Sequence, residues 1–440
     1  MKYGLYDKPP LGVTVLSTLQ WLIVTLSSSI VVPIVIGDVY GLTAGETGEF
    51  MQQTIFYIGV ASLLQVWLGH RYPMMDGPAG LWWGIFLIMA NIGGSMGLEP
   101  RIIGQSMQGG LIVAGALFVV LGMTGIISRI QQWFTPIVTG TYMTLLAVSL
   151  CSTFVKGMLG IGFHQSELVR PEIAMASVVI IALVILFMQI PRLASFAVLL
   201  GMVIGWGAYA LLGWADQPKP AQELVVWPKV FFWGPVHWDA GILVTCVLTG
   251  FVLLTNLITS LVVVGRAVNQ VADSKQYNRG GVYTGVSHLL AGFSGVVGMI
   301  PLSLAAAVIQ ATKLASKLPF ILAMVLMMGI GIFPTVSQVL AAMPTPVAYA
   351  AMFVAYTQLL GFGLKDFARI QLDERAITVI GSSLLVGIGI MFVPPGAWQS
   401  LHPLLSFLLG NGLLLGVLVA LFMEHVVFRV KKDQEGQQVS

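Results

Sequence analysis

Fourteen apolar runs follow one another along this 440-residue chain, and most are long enough to cross a membrane as a helix. About 20 apolar residues in a helix span the ~30 Å hydrocarbon core of a bilayer. Only 9% of the residues are charged, whereas a soluble domain carries about 25%. The sequence therefore predicts an all-α protein that crosses a membrane many times. The predicted segments are 12–36, 50–69, 78–96, 109–128, 135–154, 173–190, 193–213, 240–265, 281–297, 301–316, 318–341, 345–363, 376–393 and 403–428.

The positive charges are distributed unevenly between the loops. If the N-terminus is cytoplasmic, only a few of the 21 Lys and Arg residues fall in outer loops. Lys and Arg collect in the cytoplasmic loops of membrane proteins, so this distribution predicts cytoplasmic N- and C-termini. The net charge of +3 then reflects topology and does not indicate nucleic-acid binding. The residues in outer loops are Arg101, Lys156, Arg170, Lys219 and Lys229.

The longest outer loop divides the predicted segments into two sets of seven. Residues 1–214 hold the first set, residues 215–239 form the extracytoplasmic loop, residues 240–428 hold the second set, and residues 429–440 form a cytoplasmic tail. Because seven is odd, the second set starts on the opposite side of the membrane from the first. The chain is therefore predicted to contain an inverted repeat, which is typical of secondary transporters.

The third segment of each half is interrupted by Pro and Gly. The two stretches read RYPMMDGPAGLWWGIFLIM at 71–89 and VVGMIPLSLAAAVIQATK at 296–313. Each predicts a short extended stretch followed by a half-length helix. Paired interruptions of this kind indicate a transporter's substrate site, since free N–H groups at a helix start can bind polar or anionic groups. The alternative is that Pro and Gly only kink two ordinary spanning helices.

The chain resembles the nucleobase–ascorbate transporter family, also called the nucleobase:cation symporter-2 family, over about residues 10–425. The resemblance includes LQWLIVTLSSSIVVPIVIG at 19–37, YPMMDGPAG at 72–80 and the GFSG before the tenth segment. It implies fourteen segments in two inverted repeats of seven. It also implies a core domain of segments 1–4 and 8–11 and a gate domain of segments 5–7 and 12–14. Substrate would lie between the two broken segments, and transport would move the core against the gate.

The family signature matches LAAAVIQATK at 304–313 only in part. Its Thr-Lys end agrees, but Leu304 and Ala305 replace polar residues that would contact substrate. A family carboxylate in the eighth segment falls on Thr255 or Asn256. The resemblance therefore implies a pocket without its usual carboxylates, which suits an uncharged, nearly planar molecule rich in N–H and C=O groups.

The candidate site combines backbone groups at the half-helix starts with neutral side chains. Asp76 is the only acid near the inferred site and is therefore the candidate for proton coupling; a solvated or capping role is its alternative. For Gln310, a hydrogen bond to a neighbouring helix is the alternative to substrate contact. The predicted substrate-binding residues are Ser28, Gly80, Thr255, Asn256, Ser303, Leu304 and Gln310.

Together these features predict a permease that imports a nucleobase, with a purine as first choice, by proton symport across a bacterial inner membrane. A ring ureide such as allantoin, or uncoupled facilitation, remains an alternative. The six His residues are dispersed and no nucleotide-binding loop is present, so neither an enzyme nor an ATP-driven pump is predicted. No cofactor or metal is expected. The expected partners are the substrate, protons, membrane lipid and a second copy of the chain in a homodimer.

Overall fold

A computed structural model describes residues 2–95, 97–127, 133, 135–190, 193–215, 223–398, 401, 405 and 409–428. The predicted tail at 429–440 and residues 216–222 of the predicted connecting loop lie outside the described residues. Most of the described chain is helical, and two short strands complete the regular structure. The helices are α1 Leu11–Ser29, α2 Val31–Val39, α3 Ala44–Trp67, α4 Gly80–Ser95, α5 Pro100–Met123, α6 Pro136–Met158, α7 Pro171–Gln189, α8 Ala197–Leu211, α9 Ala240–Ala267, α10 Ser274–Ser294, α11 Leu304–Thr312, α12 Lys317–Ile330, α13 Pro334–Ala341, α14 Thr345–Phe367, α15 Glu374–Met391 and α16 Gly412–Phe422. The strands are β1 Asp76–Pro78 and β2 Met299–Pro301.

Six stretches within the described residues are long and apolar enough to cross a membrane. They are Leu11–Val39, which joins α1 and α2, together with α5, α6, α7, α9 and α15. Other predicted segments form helices that are shorter or more polar, such as α10, which buries Thr284, Ser287 and His288 inside the protein. The structure is thus a helical, polytopic membrane protein, and the number of fourteen spans stays a prediction.

Besides the third segment of each half, two further predicted segments contain a break within the described residues. The first is divided between α1 and α2, because Pro33 has no N–H to donate to the carbonyl of Ser29. The predicted segment 318–341 consists of α12 and α13, which meet at 85°. Pro334 occupies the start of α13, a position where its missing N–H costs no helical hydrogen bond. Neither of these two breaks was predicted.

The helices pack in two groups. α5 packs against α9 and α10, and α3 packs against α10, α12 and α13. In the other group, α14 packs against α6, α7 and α8, and α16 packs against α6 and α15. Contacts between α2 and α14 join the groups. β1 and β2 lie within the first group, in contact with α1, α3, α9 and α10.

The loop before α9 is anchored by a buried tryptophan. Trp233 is 1% exposed, and its ring packs against Tyr40 and Phe50 at centroid distances of 4.9 and 5.7 Å. Its indole N–H donates to the carbonyl of Gly295 at 2.8 Å. Because Gly295 leads from α10 into the second interrupted stretch, this loop helps to position β2.

The N-terminal segment, residues 2–7, runs along the loop that follows α11. The Lys2 N–H donates to the Lys313 carbonyl at 2.7 Å, and the Ala315 N–H donates to the Tyr3 carbonyl at 2.9 Å. These backbone hydrogen bonds hold the C-terminal end of α11 close to the start of α12.

Candidate functional site

The two interrupted segments meet as a pair of antiparallel strands. Hydrogen bonding continues on both sides of the three-residue ladder. The Ala79 N–H donates to the Gly298 carbonyl at 3.0 Å. The Leu302 N–H donates to the Met75 carbonyl at 2.9 Å. The strands therefore satisfy each other's backbone groups inside the protein, as a non-helical segment at membrane depth requires. The paired residues are Asp76 with Pro301, Gly77 with Ile300, and Pro78 with Met299.

Each strand leads into a short helix. α4 begins at Gly80, directly after β1, and α11 begins at Leu304, directly after β2. Because the strands are antiparallel, α4 and α11 start at opposite ends of the ladder. We call the strand pair together with these two helix starts the crossing. The first turn of a helix has N–H groups without intrahelical partners and a partial positive charge. The crossing therefore offers hydrogen-bond donors to a polar or anionic ligand.

α1 and α9 flank the crossing. The Thr25 hydroxyl of α1 donates to the sulfur of Met75 at 3.2 Å, and α9 packs against β2, α4 and α11. Ser28 is half-buried, and its hydroxyl donates to the Thr25 carbonyl at 2.9 Å. Asn256 is half-buried on α9, and its Oδ1 accepts a hydrogen bond from Ser260 at 3.2 Å. Both candidate side chains thus lie on helices that contact the crossing, and their hydrogen bonds stay within their own helices.

The other candidate residues differ in exposure. Gly80 and Ser303 are half-buried at the two helix starts. Leu304 is 44% exposed, so it presents apolar surface at the start of α11. Gln310 is also exposed, about 9 Å further along that helix at 1.5 Å per residue. The side chain of Thr255 lies outside the described part of the structure. Gly80 thus lies at one end of the strand ladder and Ser303 and Leu304 at the other, whereas Gln310 lies away from both ends.

Asp76 is buried, with 0% exposure. Its backbone N–H donates to the Ser62 hydroxyl at 2.9 Å, and its side chain faces Ser287. The Ser287 hydroxyl itself donates to the Tyr283 carbonyl at 2.9 Å. Neither carboxyl oxygen accepts a hydrogen bond from any residue the structure describes. This burial removes the side chain from bulk solvent and places the carboxyl between α3 and α10.

Polar residues beside the crossing that were not predicted as site residues form hydrogen bonds between helices. The Trp82 indole N–H donates to Nε2 of His288 at 2.5 Å, and Nδ1 of His288 lies 2.7 Å from the Thr284 carbonyl. The Gln65 amide donates to the Thr284 hydroxyl at 3.0 Å. A polar side chain within an apolar run is costly unless it is partnered, so Gln65 and His288 could have been singled out. Their partners could not, because Gln65 and Thr284 are 219 residues apart in sequence.

The crossing region is poor in charged groups. Four Asp, Glu, His, Lys or Arg side chains are buried among the described residues, namely His70, Asp76, His288 and Glu424. In the same part of the chain, no group of three His, Cys, Asp or Glu side chains could hold a metal ion. Ligand binding at the crossing would therefore use backbone N–H groups with amide and hydroxyl side chains.

The chain is thus a polytopic helical membrane protein in which two short helices start at a buried pair of strands. The chain is similar to the transmembrane domain of a cyanobacterium bicarbonate transporter, BicA, with a TM-score of 0.63, 13% identity, and coverage of 96% of this chain and 98% of that chain. It is also similar to the murine anion transporter Slc26a9, with a TM-score of 0.62, 12% identity, and coverage of 98% and 70%. At these identities the likeness is one of fold.

A family model described as "Permease family" matches residues 12–396. The chain belongs to this family, the nucleobase–ascorbate transporters, which confirms the resemblance inferred from the sequence. It is 34% identical to "Putative purine permease YwdJ" of Bacillus subtilis, over 92% of this chain and 94% of the relative. It is 27% identical to "Uric acid permease PucK" of the same organism, over 94% and 95%. The chain is accordingly a transporter and not an enzyme.

Proposed function

We propose that the chain is a permease that imports a purine nucleobase across the bacterial inner membrane. The observation that carries this proposal is the crossing itself, where two helices begin at the ends of one buried strand pair, beside neutral side chains. Leu304 supplies no carboxylate to accept hydrogen bonds from ring N–H groups. Donor groups therefore predominate, and they suit a purine with several carbonyl oxygens, such as xanthine or urate. Relatives named as uric acid and xanthine permeases support the same substrate class.

We also propose the fourteen-segment inverted repeat, with both termini cytoplasmic. In this arrangement α1–α5 and α9–α13 form the core domain, and α6–α8 and α14–α16 form the gate domain. The two packing groups of helices support this division. Transport then moves the core, with the substrate at the crossing, against the gate.

Uptake of radiolabelled compounds by cells that lack their own permeases tests the substrate class. Xanthine, urate, guanine, uracil and allantoin are compared, with vector-only cells as the control. We expect xanthine or urate to accumulate, and an excess of either unlabelled purine to compete. Accumulation of allantoin alone would contradict the purine proposal and support a ring ureide.

We further propose that protons drive transport and that Asp76 carries the proton. A buried carboxyl without partners is stable mainly in its neutral form, so its ionisation must be linked to a change in its surroundings. Asp76→Asn is expected to abolish accumulation and to preserve exchange of substrate across the membrane. A protonophore should likewise abolish accumulation by the wild type. Unchanged accumulation with the protonophore would overturn the proposal of proton symport.

A further inference from the structure

A line of polar groups connects Asp76 to one side of the protein, between α3 and α10. At its inner end, Ser62 accepts the Asp76 N–H and Ser287 faces the carboxyl. One turn away, the Gln65 amide donates to the Thr284 hydroxyl at 3.0 Å. The same amide also donates to the Gly280 carbonyl at 3.1 Å. These side chains are buried in a protein whose helices are otherwise mostly apolar.

The line continues to the turn before β1. Oε1 of Gln65 accepts a hydrogen bond from the His70 N–H at 3.4 Å. The Gln276 amide, in the first turn of α10, donates to the His70 carbonyl at 3.0 Å. We call this line the polar seam; its members on α3 and α10 recur at intervals of about one helical turn. The polar seam comprises Ser62, Gln65, His70, Tyr72, Gln276, Gly280, Thr284 and Ser287.

Three ionisable side chains along the polar seam are fully buried. The Asp76 carboxyl oxygens and Nε2 of His70 have no hydrogen-bond partner among the described residues, and the Tyr72 hydroxyl faces the Gln276 amide. Buried polar atoms are almost always satisfied by protein or by ordered water. A buried water makes two to four hydrogen bonds to groups of this kind. Water is therefore the expected further partner of these atoms.

His70 and His288 differ in whether both ring nitrogens have hydrogen-bond partners. His288 accepts the Trp82 indole N–H at Nε2, so its ring hydrogen is on Nδ1 and points to the Thr284 carbonyl. Both of its nitrogens are occupied. Nδ1 of His70 accepts the Tyr72 N–H at 3.1 Å, which places the ring hydrogen on the unpartnered Nε2. His70 can therefore donate to a water in the polar seam, whereas His288 cannot.

The end of the polar seam that is far from Asp76 lies beside the N-terminal segment and is surrounded by charged and phenolic groups. Lys317 faces His70. The Gln276 amide faces the Tyr72 hydroxyl, and Tyr277, Asp273 and Tyr6 lie near it. By the charge distribution of the loops, this end is cytoplasmic. The inner end reaches Asp76, where the described residues that face the carboxyl are hydroxyl-bearing and uncharged.

We propose that the polar seam is a water-filled proton path between Asp76 and the cytoplasm. The proposal rests on the proposed proton coupling at Asp76. The carboxyl O–H gives its proton to a water held by Ser62 and Ser287 and becomes a carboxylate. The proton then passes along waters oriented by Thr284, His70 and Tyr72 and leaves as hydronium. Uptake of a proton by Asp76 follows the same steps in reverse.

Purified protein in liposomes tests the path with radiolabelled xanthine as the probe. Thr284→Val and Tyr72→Phe each remove one hydroxyl and keep the side-chain shape. We expect uptake driven by an imposed pH gradient to fall about tenfold in each variant, as expected for loss of one buried hydrogen-bonding group. Xanthine exchange at equal pH should stay within about twofold, because the substrate site is untouched. The matched control is Thr249→Val, which removes a buried hydroxyl of α9 outside the polar seam.

The outcomes separate the two proposals. If Asp76→Asn abolishes gradient-driven uptake while the hydroxyl variants retain it, the path is wrong and the coupling residue stands. If Asp76→Asn retains gradient-driven uptake, coupling at Asp76 is wrong. A loss of exchange as large as the loss of gradient-driven uptake would show that the hydroxyls only support the fold, which overturns the path.

Infrared spectroscopy tests the path without transport. The carboxyl stretching band that disappears in Asp76→Asn should shift in wild-type protein when H₂O is replaced by D₂O. We expect this shift to be slowed about tenfold in Thr284→Val and unchanged in Thr249→Val. Equal exchange rates in all three proteins, or no protonated carboxyl band at all, would overturn the proposal.

Discussion

Leu304 places an apolar side chain at the start of α11, where the family signature carries Gln or Glu. A hydrogen bond to a carboxylate is about twice as strong as a neutral one. With Leu at position 304, the site therefore lacks one strong hydrogen bond to the ligand. The neutral groups nearby then determine which ligand binds. Asn256 offers a side-chain amide that can both donate and accept, and Ser260 holds its orientation by donating to its Oδ1.

Asn256→Ala is expected to raise the apparent KM for the transported purine about fivefold, since one neutral hydrogen bond contributes about 1 kcal/mol. Ser260→Ala should raise it less, because it only releases the Asn256 side chain. Initial uptake rates across a range of substrate concentrations measure both. An unchanged KM in Asn256→Ala would remove this residue from the binding site.

At the scale of helices, α5 and α10 pack closely through glycines. A Cβ built on Gly285 would lie 2.6 Å from the Gly115 carbonyl oxygen and 2.6 Å from the backbone nitrogen of Val119. Small residues let membrane helices approach at this distance. Because α10 carries half of the polar seam, this contact also fixes the position of Thr284 relative to α3.

Gly285→Ala is therefore expected to destabilise the protein by about 1–3 kcal/mol, the usual cost of overpacking a tight contact. Thermal unfolding of the detergent-purified protein measures the change as a lower Tm. Gly389→Ala is the matched control, since a Cβ there has no atom within 4 Å. Equal Tm values for the two variants would show that α5 and α10 separate at little cost.

At the scale of the whole molecule, the described residues include a side-chain hydrogen bond that joins the two packing groups. The Tyr349 hydroxyl of α14 donates to a carboxylate oxygen of Asp38 on α2 at 3.2 Å. If the core moves against the gate, this bond must break and re-form in each cycle. The hydrogen bond therefore stabilises the arrangement of core and gate seen in this structure relative to an arrangement in which the core has moved.

Tyr349→Phe should shift the conformational equilibrium away from this state by about tenfold, since a hydrogen bond to a charged group contributes about 1.5–3 kcal/mol. The reactivity of single cysteines placed at the boundary of the two groups reports the shift. Adding Asp38→Asn to Tyr349→Phe should have little further effect. Additive effects of the two substitutions would mean that the bond does not control the equilibrium.

Much of the site was predictable because its signals are local in sequence. Pro and Gly at 73–80 and 295–301 indicated extended stretches, and the structure has β1 and β2 within them. Gly80, Ser303 and Leu304 lie at the predicted helix starts. The bend between α12 and α13 was missed, because an apolar run of that length is equally compatible with one straight helix.

By itself the sequence determined the membrane environment, the transporter family and the position of the two interrupted segments, because hydropathy and turn residues act over a few neighbouring positions. Only the tertiary structure decided that β1 pairs with β2 and that Asp76 is buried without a partner. It also decided that Gln65 of α3 meets Thr284 of α10, 219 residues away. Burial and pairing depend on which distant helices pack together, and a local pattern carries no record of that.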